Sequence, residues 1–225
     1  ANILQSLAEE SRLKIPLLIA TDAIHGHGMY MGPTTIYATQ IGLAASFEPE
    51  LAELMAEYTA SEMRATGFHW AYSPNVEVVR DARWGRIGET FGEDPYLANQ
   101  MGIAFIKNIE LSGVICTPKH FILNVGEGGR DSYPIGLSSR ALYMSHFRPF
   151  YTAFTEGKAR SVMSAYNSLN GSACSSSEWL LQQTLKKDWG FEGFVISDAN
   201  AVGGELVLHQ TANSYAQSGE HALNG

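Results

Sequence analysis

The sequence predicts an α/β fold in which short strands of a parallel sheet alternate with helices. Five short apolar runs, rich in β-branched residues, recur along the 225-residue chain with helical patterns between them. They comprise residues 15–20, 68–73, 114–117, 161–165 and 194–197. Apolar or small residues nearly fill each run, which is typical of strands buried on both faces. No low-complexity linker interrupts the series, so we expect a single domain on this chain.

Proline at a first helical position marks the first two long helices. One is expected to begin at Pro49 and to stop near Gly67. Its buried stripe should comprise Leu51, Leu54, Met55 and Tyr58. The next should begin at Asp94 and Pro95, where the aspartate can cap the helix. Its inward face should comprise Leu97, Met101, Ala104 and Phe105.

Two further helices are expected in the second half of the chain. One should run from near Ser138 to Gly157, and Pro149 within it should kink or divide the helix. The other should run from about Ser177 to Gly190.

The composition argues against several classes of protein. Hydrophobic residues make up 45% and charged residues 17%, a globular rather than a disordered balance. The formal net charge of −8 argues against nucleic acid as a partner, because that affinity depends on clustered Lys and Arg. No apolar stretch approaches the roughly 20 residues of a membrane span, and no leader peptide is expected. Cys116 and Cys174 are too few for a disulfide scaffold.

Polar side chains follow each predicted strand where it ends. In chain order they are Asp22, Asn75, Arg80, Lys119, His120, Tyr166, Asn167 and Asp198. Five βα units fit either an open doubly wound sheet or part of an eightfold barrel, and both bind ligands at the carboxyl edge of the strands. Neither a GxGxxG nor a P-loop motif follows a strand, which argues against nucleotide binding. The pattern therefore predicts where the site lies without choosing between the folds.

Four of these residues could take part in chemistry. Asp198 ends an apolar strand, and a buried carboxylate is costly unless it is paired or functional, although it could instead cap a helix. Lys119 and His120 could hold hydroxyl groups and keep a neighbouring carboxylate ionised, or form a structural ion pair and a half-buried histidine. Asp22 could accept hydrogen bonds from adjacent sugar hydroxyls, or cap a loop.

Residues 80–95 are dense in charge, glycine and aromatics. We expect a network of Arg–carboxylate pairs that presents one arginine to a ligand. His25 and His27 form an HxH pair without an evident third ligand, so we expect no metal site. Tyr166 and Trp84 are the aromatic candidates for stacking on a sugar, and Trp70 and Tyr72 are expected in the core.

Seven segments in the same order and with similar spacing carry a resemblance to a known family. They are residues 15–26, 41–46, 80–95, 119–121, 128–131, 161–167 and 189–198. Together they resemble glycoside hydrolase family 3, in its β-glucosidase and β-xylosidase-like branch. The resemblance implies a catalytic (β/α)8 TIM-type barrel that uses no cofactor or metal. It also implies an oligosaccharide or β-glycoside substrate, neither nucleic acid nor membrane as a partner, and a periplasmic or secreted rather than cytoplasmic location.

The same resemblance implies roles for individual residues. Asp198 maps to the nucleophile of a retaining mechanism, which releases a β-linked glucose or xylose from the non-reducing end by double displacement. Residues that hold the sugar map to Asp22, Arg86, Lys119, His120, Met163, Tyr166 and Arg130. Lys119 and Arg86 should keep Asp198 ionised.

A retaining mechanism also needs an acid/base carboxyl group, and none on this chain matches the family pattern. The available carboxyl groups are Glu89, Glu93, Glu127, Asp131, Glu205 and Glu220. The N-acetylhexosaminidase branch uses a His–Asp pair after the Lys-His-Phe segment, but residues 122–127 contain no histidine. Resemblance to the β-glucosidase-like branch implies that the acid/base is a Glu on a second domain, which we expect to be absent from this chain.

Two further expectations concern the completeness of the barrel and the activity of this chain on its own. An eightfold barrel takes about 250 residues, so the barrel is expected to be incomplete and the chain inactive alone. The alternatives are a non-catalytic sugar-binding homologue, and a transglycosylase or phosphorylase that uses the same subsite. The sequence does not indicate an oligomeric state.

Overall fold

The computed structural model describes residues 1–29, 32–125 and 133–225. The strands of the described ranges are β1 (Ala20–Thr21), β2 (Trp70–Ala71), β3 (Ile115–Cys116), β4 (Pro134–Ile135), β5 (Ser161–Ser164), β6 (Ser168–Leu169), β7 (Ser172–Ala173) and β8 (Phe194–Ser197). The α-helices there are α1 (Asn2–Glu9), α2 (Gln40–Ala44), α3 (Pro49–Ala65), α4 (Pro95–Leu111), α5 (Ser139–Ala141), α6 (Phe147–Thr155), α7 (Gly204–Val207) and α8 (Tyr215–Asn224). Leu142–His146 and Trp179–Asp188 are π-helical.

The central strands are parallel and follow one another in chain order. β1 pairs with β2 and β2 with β3, and β5 pairs with β8 in the register Val162 to Val195. A parallel bridge from Phe121 to Ser164 connects the segment after β3 to β5. A doubly wound sheet reverses its strand order at a switch point, and the described strands show no such reversal. The order therefore favours the barrel alternative.

A small second sheet extends the fold beyond the central strands. β4 pairs in parallel with β6, and β6 pairs antiparallel with β7. The β6–β7 hairpin turns at Asn170 and Gly171, whose φ values are +50° and +91°. Positive φ at both turn positions is what a two-residue hairpin with the right-handed strand twist requires, and Asn-Gly meets that need at low cost.

Helix α3 begins at Pro49 as predicted, but its buried face differs from the prediction. The buried residues are Ala52, Met55, Ala56, Thr59, Ala60 and Met63. Of the predicted stripe only Met55 is buried, and Leu51, Leu54 and Tyr58 are exposed. Helix α3 packs on α4, and small residues at a helix contact let the two axes approach closely, which leaves the longer apolar side chains outside.

The other helix predictions agree more closely with the structure. The Leu97 amide donates to the Asp94 carboxylate at 2.8 Å, which caps α4. Met101 and Phe105 of α4 are fully buried. The helix around Pro149 is divided, with a π-helical segment just before α6. Proline has no amide to donate to the carbonyl of Ser145, so the regular hydrogen bonding is interrupted before α6, and Pro149 lies in the first turn of α6.

Strand β1 is shorter than predicted. Residues 15–18 precede it, and Ile15, Leu17 and Leu18 are exposed. Pairing with the neighbouring strand begins where the His69 amide donates to the Ile19 carbonyl at 2.9 Å, so the earlier residues do not join the sheet. No helix within the described ranges is long and apolar enough to cross a membrane.

Candidate active site

Asp198 directly follows β8 and is largely enclosed. Its amide donates to the Ser164 carbonyl at 3.2 Å, which extends the β5–β8 pairing to the end of the strand. Its side chain is 13% exposed, and Oδ2 lies 3.4 Å from Nε2 of His120. The Ala199 amide donates to Oδ1 at 2.7 Å. Asp198 is therefore held at the strand end with its second oxygen towards His120.

Burial and neighbouring groups act in opposite directions on the pKa of Asp198. Burial raises this pKa and is the largest effect. Hydrogen bonds from the Ala199 amide and the Tyr166 side chain lower it, as do the charges of Lys119 and Arg86. The two cations favour the ionised form, as expected from the sequence, but burial outweighs them and the pKa is raised overall.

Lys119 joins the ends of two non-adjacent strands. Its Nζ donates to Oδ1 of Asp22, after β1, at 2.6 Å. The Lys119 side chain is 4% exposed and that of Asp22 is 32% exposed. Burial raises the pKa of Tyr72, just after β2, and the Asp22 charge adds to this. Asp22 therefore has one oxygen on Lys119 and part of its carboxylate open to a ligand.

Arg86 forms the bidentate pair that residues 80–95 predict. Its Nε and Nη2 donate to the two carboxylate oxygens of Glu89 at 2.8 and 2.6 Å. Burial lowers the pKa of Arg86, but the hydrogen bonds and charge of Glu89, with the charges of Glu77 and Asp198, raise it overall. Arg86 is thus a fixed cation whose field reaches both of those other carboxyl groups.

The sequence analysis missed Glu77, which lies in the segment after β2. Its side chain is buried, its Oε2 lies 2.9 Å from Nδ1 of His120, and its Oε1 accepts from the Asn124 amide at 2.5 Å. Burial raises the pKa of Glu77 to about 8, although the Arg86 charge and the hydrogen bonds of Asn124 and His120 lower it. The available signal was a lone carboxyl between two buried valines, Val76 and Val78.

The other predicted site residues are placed differently. Met163 is a buried residue of β5, paired with Ile196 of β8. Trp84 is 1% exposed, and its burial in the core leaves no face for stacking on a sugar, so that prediction is wrong. Arg80 donates to the Ser145 hydroxyl at 2.9 Å. Arg130 lies outside the described residues.

The remaining acid and metal candidates that the structure describes lie in separate local contacts. Oε2 of the buried Glu205 lies 2.8 Å from Nδ1 of His221. Glu127 and Asp131 lie outside the described residues. Nδ1 of His25 contacts the Tyr37 carbonyl at 3.1 Å, and Nε2 of His27 lies 2.7 Å from the Thr66 hydroxyl. Within the ranges that the structure describes, no three His, Cys, Asp or Glu residues are grouped to hold a metal ion.

A family model and the curated relatives that match this chain all point to glycosidases. The family model described as "Glycosyl hydrolase family 3 N terminal domain" matches residues 1–224. A β-xylosidase of Formosa agariphila is 37% identical over 97% of this chain and 32% of its own length. A periplasmic β-glucosidase of Salmonella typhimurium is 36% identical over 90% of this chain and 26% of its own length. The chain thus spans about a third or less of these curated relatives.

Solved structures show the same likeness in three dimensions. A β-glucosidase from Listeria innocua in complex with glucose has a TM-score of 0.91 and 31% identity, over 99% of this chain and 31% of that one. A β-glucosidase from Erythrobacter marinus has the same TM-score at 28% identity, over 99% of this chain and 30% of that one. These likenesses, with the parallel strands and flanking helices, indicate a TIM-like α/β domain.

Proposed function

Because the chain belongs to glycosyl hydrolase family 3, as its segments predict, we propose that it carries the nucleophile and most of the sugar subsite of a retaining exo-acting β-glycosidase. The sugar released is a β-linked glucose or xylose, the glycones that the names of the relatives mention. The observation that carries this proposal is Asp198, enclosed at a strand end, 3.4 Å from His120 and within the field of Lys119 and Arg86.

The chemistry proposed for Asp198 is double displacement. Its carboxylate attacks the anomeric carbon, and the bond to the leaving oxygen breaks as an acid protonates that oxygen. Water then attacks the same carbon with its proton removed by the conjugate base, and Asp198 leaves as a carboxylate. Lys119, Arg86 and Tyr166 support this role because each lowers the pKa of Asp198 against the effect of burial.

The sugar is held by the residues around this carboxylate. Asp22 accepts from sugar hydroxyls with the part of its carboxylate that remains exposed, while Lys119 fixes its orientation. His120 and Arg86 offer N–H donors, Met163 an apolar contact, and Arg130 follows from the family resemblance. Hydrogen bonds that strengthen as the ring becomes oxocarbenium-like contribute to rate rather than to binding alone.

We place the acid/base on a second domain outside this chain and the five parallel strands in an eightfold barrel. The chain order of the strands supports the barrel, and the share of each relative that the chain spans supports the further domain. The location we propose is periplasmic or secreted, and the Salmonella relative, a periplasmic β-glucosidase, supports this.

The test is replacement of Asp198 by alanine in the full-length protein. Hydrolysis of nitrophenyl β-glucoside and β-xyloside should fall by roughly 10⁴-fold or more, the scale for loss of a covalent nucleophile. Asp188→Ala is the matched control, because Asp188 is an exposed aspartate that hydrogen-bonds Gln183, and it should leave turnover unchanged. A mechanism-based fluoro-sugar should label Asp198. Near-normal turnover of Asp198→Ala, or labelling of another residue, would reject the assignment.

A further inference from the structure

Glu77, His120 and Asp198 form a linear array across the candidate site. Glu77 Oε2 lies 2.9 Å from Nδ1 of His120, and Nε2 on the other side of the ring lies 3.4 Å from Asp198 Oδ2. The second oxygen of Glu77 accepts from the Asn124 amide, so both of its oxygens are occupied. The ring of His120 is 1% exposed, which leaves no room for another orientation without repacking.

We propose that Glu77 is a positioning residue for His120, and that the two share a proton so that Nε2 keeps its hydrogen and donates it towards Asp198 and the bound sugar. This inference rests on the proposed function, because the donor acts on the sugar or on the nucleophile.

Counting protons shows why the sharing matters. If Glu77 were a carboxylate beside a neutral imidazole, Nδ1 would carry the only ring hydrogen and donate it to Glu77. Nε2 would then turn a lone pair towards Asp198, and lone pair and carboxylate repel. If the pair holds one more proton, either Glu77 is protonated and the single ring hydrogen lies on Nε2, or Glu77 is ionised and both ring nitrogens carry a hydrogen. In both cases Nε2 has a hydrogen. The pair is then neutral overall and faces the nucleophile as a donor.

The surroundings of Glu77 favour this extra proton. Burial raises its pKa to about 8, and the charge of Asp198 acts in the same direction. The Arg86 charge and hydrogen bonds from the backbone amides of Asn124 and His120 lower this pKa. The Cys174 thiol also lies within the field of Glu77, and burial raises the pKa of this thiol to about 12, so it stays neutral. The pair should therefore lose its proton as the pH rises through about 8.

Two substitutions in the full-length protein separate positioning from simple packing. In Glu77→Gln the side-chain oxygen accepts from the Asn124 amide and the NH2 donates to Nδ1, so Nε2 keeps its hydrogen without a titrating group. With a dinitrophenyl β-glycoside, whose leaving group needs no protonation, we expect kcat to fall by less than about tenfold and the alkaline limb of kcat/KM to move up by at least one pH unit. Glu77→Met fills the space but leaves Nδ1 and the Asn124 amide unpaired, and should lower kcat by roughly 100-fold.

A matched control is Glu205→Gln, since Glu205 is another buried carboxyl group that contacts a histidine, His221, whose side chain is 38% exposed. It should leave kcat and the alkaline limb unchanged. An alkaline limb of Glu77→Gln at the wild-type pH, or a kcat of Glu77→Met within threefold of Glu77→Gln, would overturn the proposal. If Glu77→Met does not fold, the limb of Glu77→Gln decides alone.

A second readout does not depend on glycosidase activity. In protein labelled with 15N-histidine, the Nε2 signal of wild-type His120 should be that of a protonated nitrogen at pH 7 and should lose this character above about pH 8, whereas in Glu77→Gln it should not change. An unprotonated Nε2 at pH 7 in the wild type overturns the proposal. A protein that hydrolyses neither glycoside refutes the proposed function, and the nitrogen signals still decide this inference.

Discussion

Replacing Lys119 by methionine should destabilise the protein and change the pH dependence of its activity. The Lys119 ammonium donates to Asp22 at 2.6 Å, and a hydrogen bond to a charged group contributes about 1.5–3 kcal/mol. Because the Asp22 side chain is 32% exposed, water replaces part of that interaction, and the expected loss is about 1–2 kcal/mol. In a chain of this size each kcal/mol lowers Tm by roughly 2–4 °C.

The charge of Lys119 also lowers the pKa of Asp198. Its removal should raise that pKa, and because the nucleophile must be ionised, the acidic limb of kcat/KM should move to higher pH. Calorimetry at pH 7 and a pH profile of the full-length protein with an aryl β-glucoside measure the two effects. Lys107→Met is the control, since Lys107 is exposed on α4. An unchanged Tm, or an acidic limb that stays or moves to lower pH, would refute the reasoning.

Three further predictions concern stability. Met55→Ala should lower the free energy of unfolding by about 2–5 kcal/mol because Met55 is buried. Leu54→Ala should lower it by less than about 1 kcal/mol because Leu54 is 47% exposed. Equal losses for the two variants in urea unfolding would contradict the buried face of α3. Asp94→Ala should cost about 1 kcal/mol through the lost cap of α4, and no change in the urea midpoint would contradict this. Asp198→Asn should raise Tm at pH 7. Folding raises the pKa of the Asp198 carboxyl, so at any pH above its unfolded pKa the ionised carboxylate destabilises the folded state, and asparagine removes that charge. That gain should shrink as the pH falls and should disappear well below 3.8, where the wild-type carboxyl is protonated in both states; a lower Tm at pH 7 would contradict the prediction.

The helix starts were predictable because a cap is a local interaction. The Asp94 carboxylate accepts from the Leu97 amide three residues later, and Pro95 occupies the first helical position, so four residues suffice to recognise the start of α4. Which face of α3 is buried depends instead on α4, a helix that begins 30 residues after α3 ends. The two leucines of α3 are exposed, whereas Ala52, Ala56 and Ala60 are buried because the contact between the helices selects for small size. Hydrophobicity alone does not report that.

The site was predictable where it depends on strand ends. Parallel strands end at one edge, so Asp22, Lys119 and Asp198 could be expected together, and the structure brings Lys119 to Asp22 and His120 to Asp198. Glu77 lies six residues after the end of β2, and it contacts His120 because of the way the chain between them folds. Its position between two buried valines marks a costly carboxyl, but nothing local indicates the partner that compensates for it.

The charges around Asp198 depend on one another, and this gives Glu77 its importance. Lys119 is shared with Asp22 and Arg86 with Glu89, so neither cation is available to Asp198 alone. A charged Glu77 would place a second carboxylate on the opposite side of the same imidazole, and like charges raise each other's pKa. Protonation of the Glu77–His120 pair removes that repulsion and supplies a donor to Asp198. Ionisation of the nucleophile is thereby coupled to a proton held on the far side of His120.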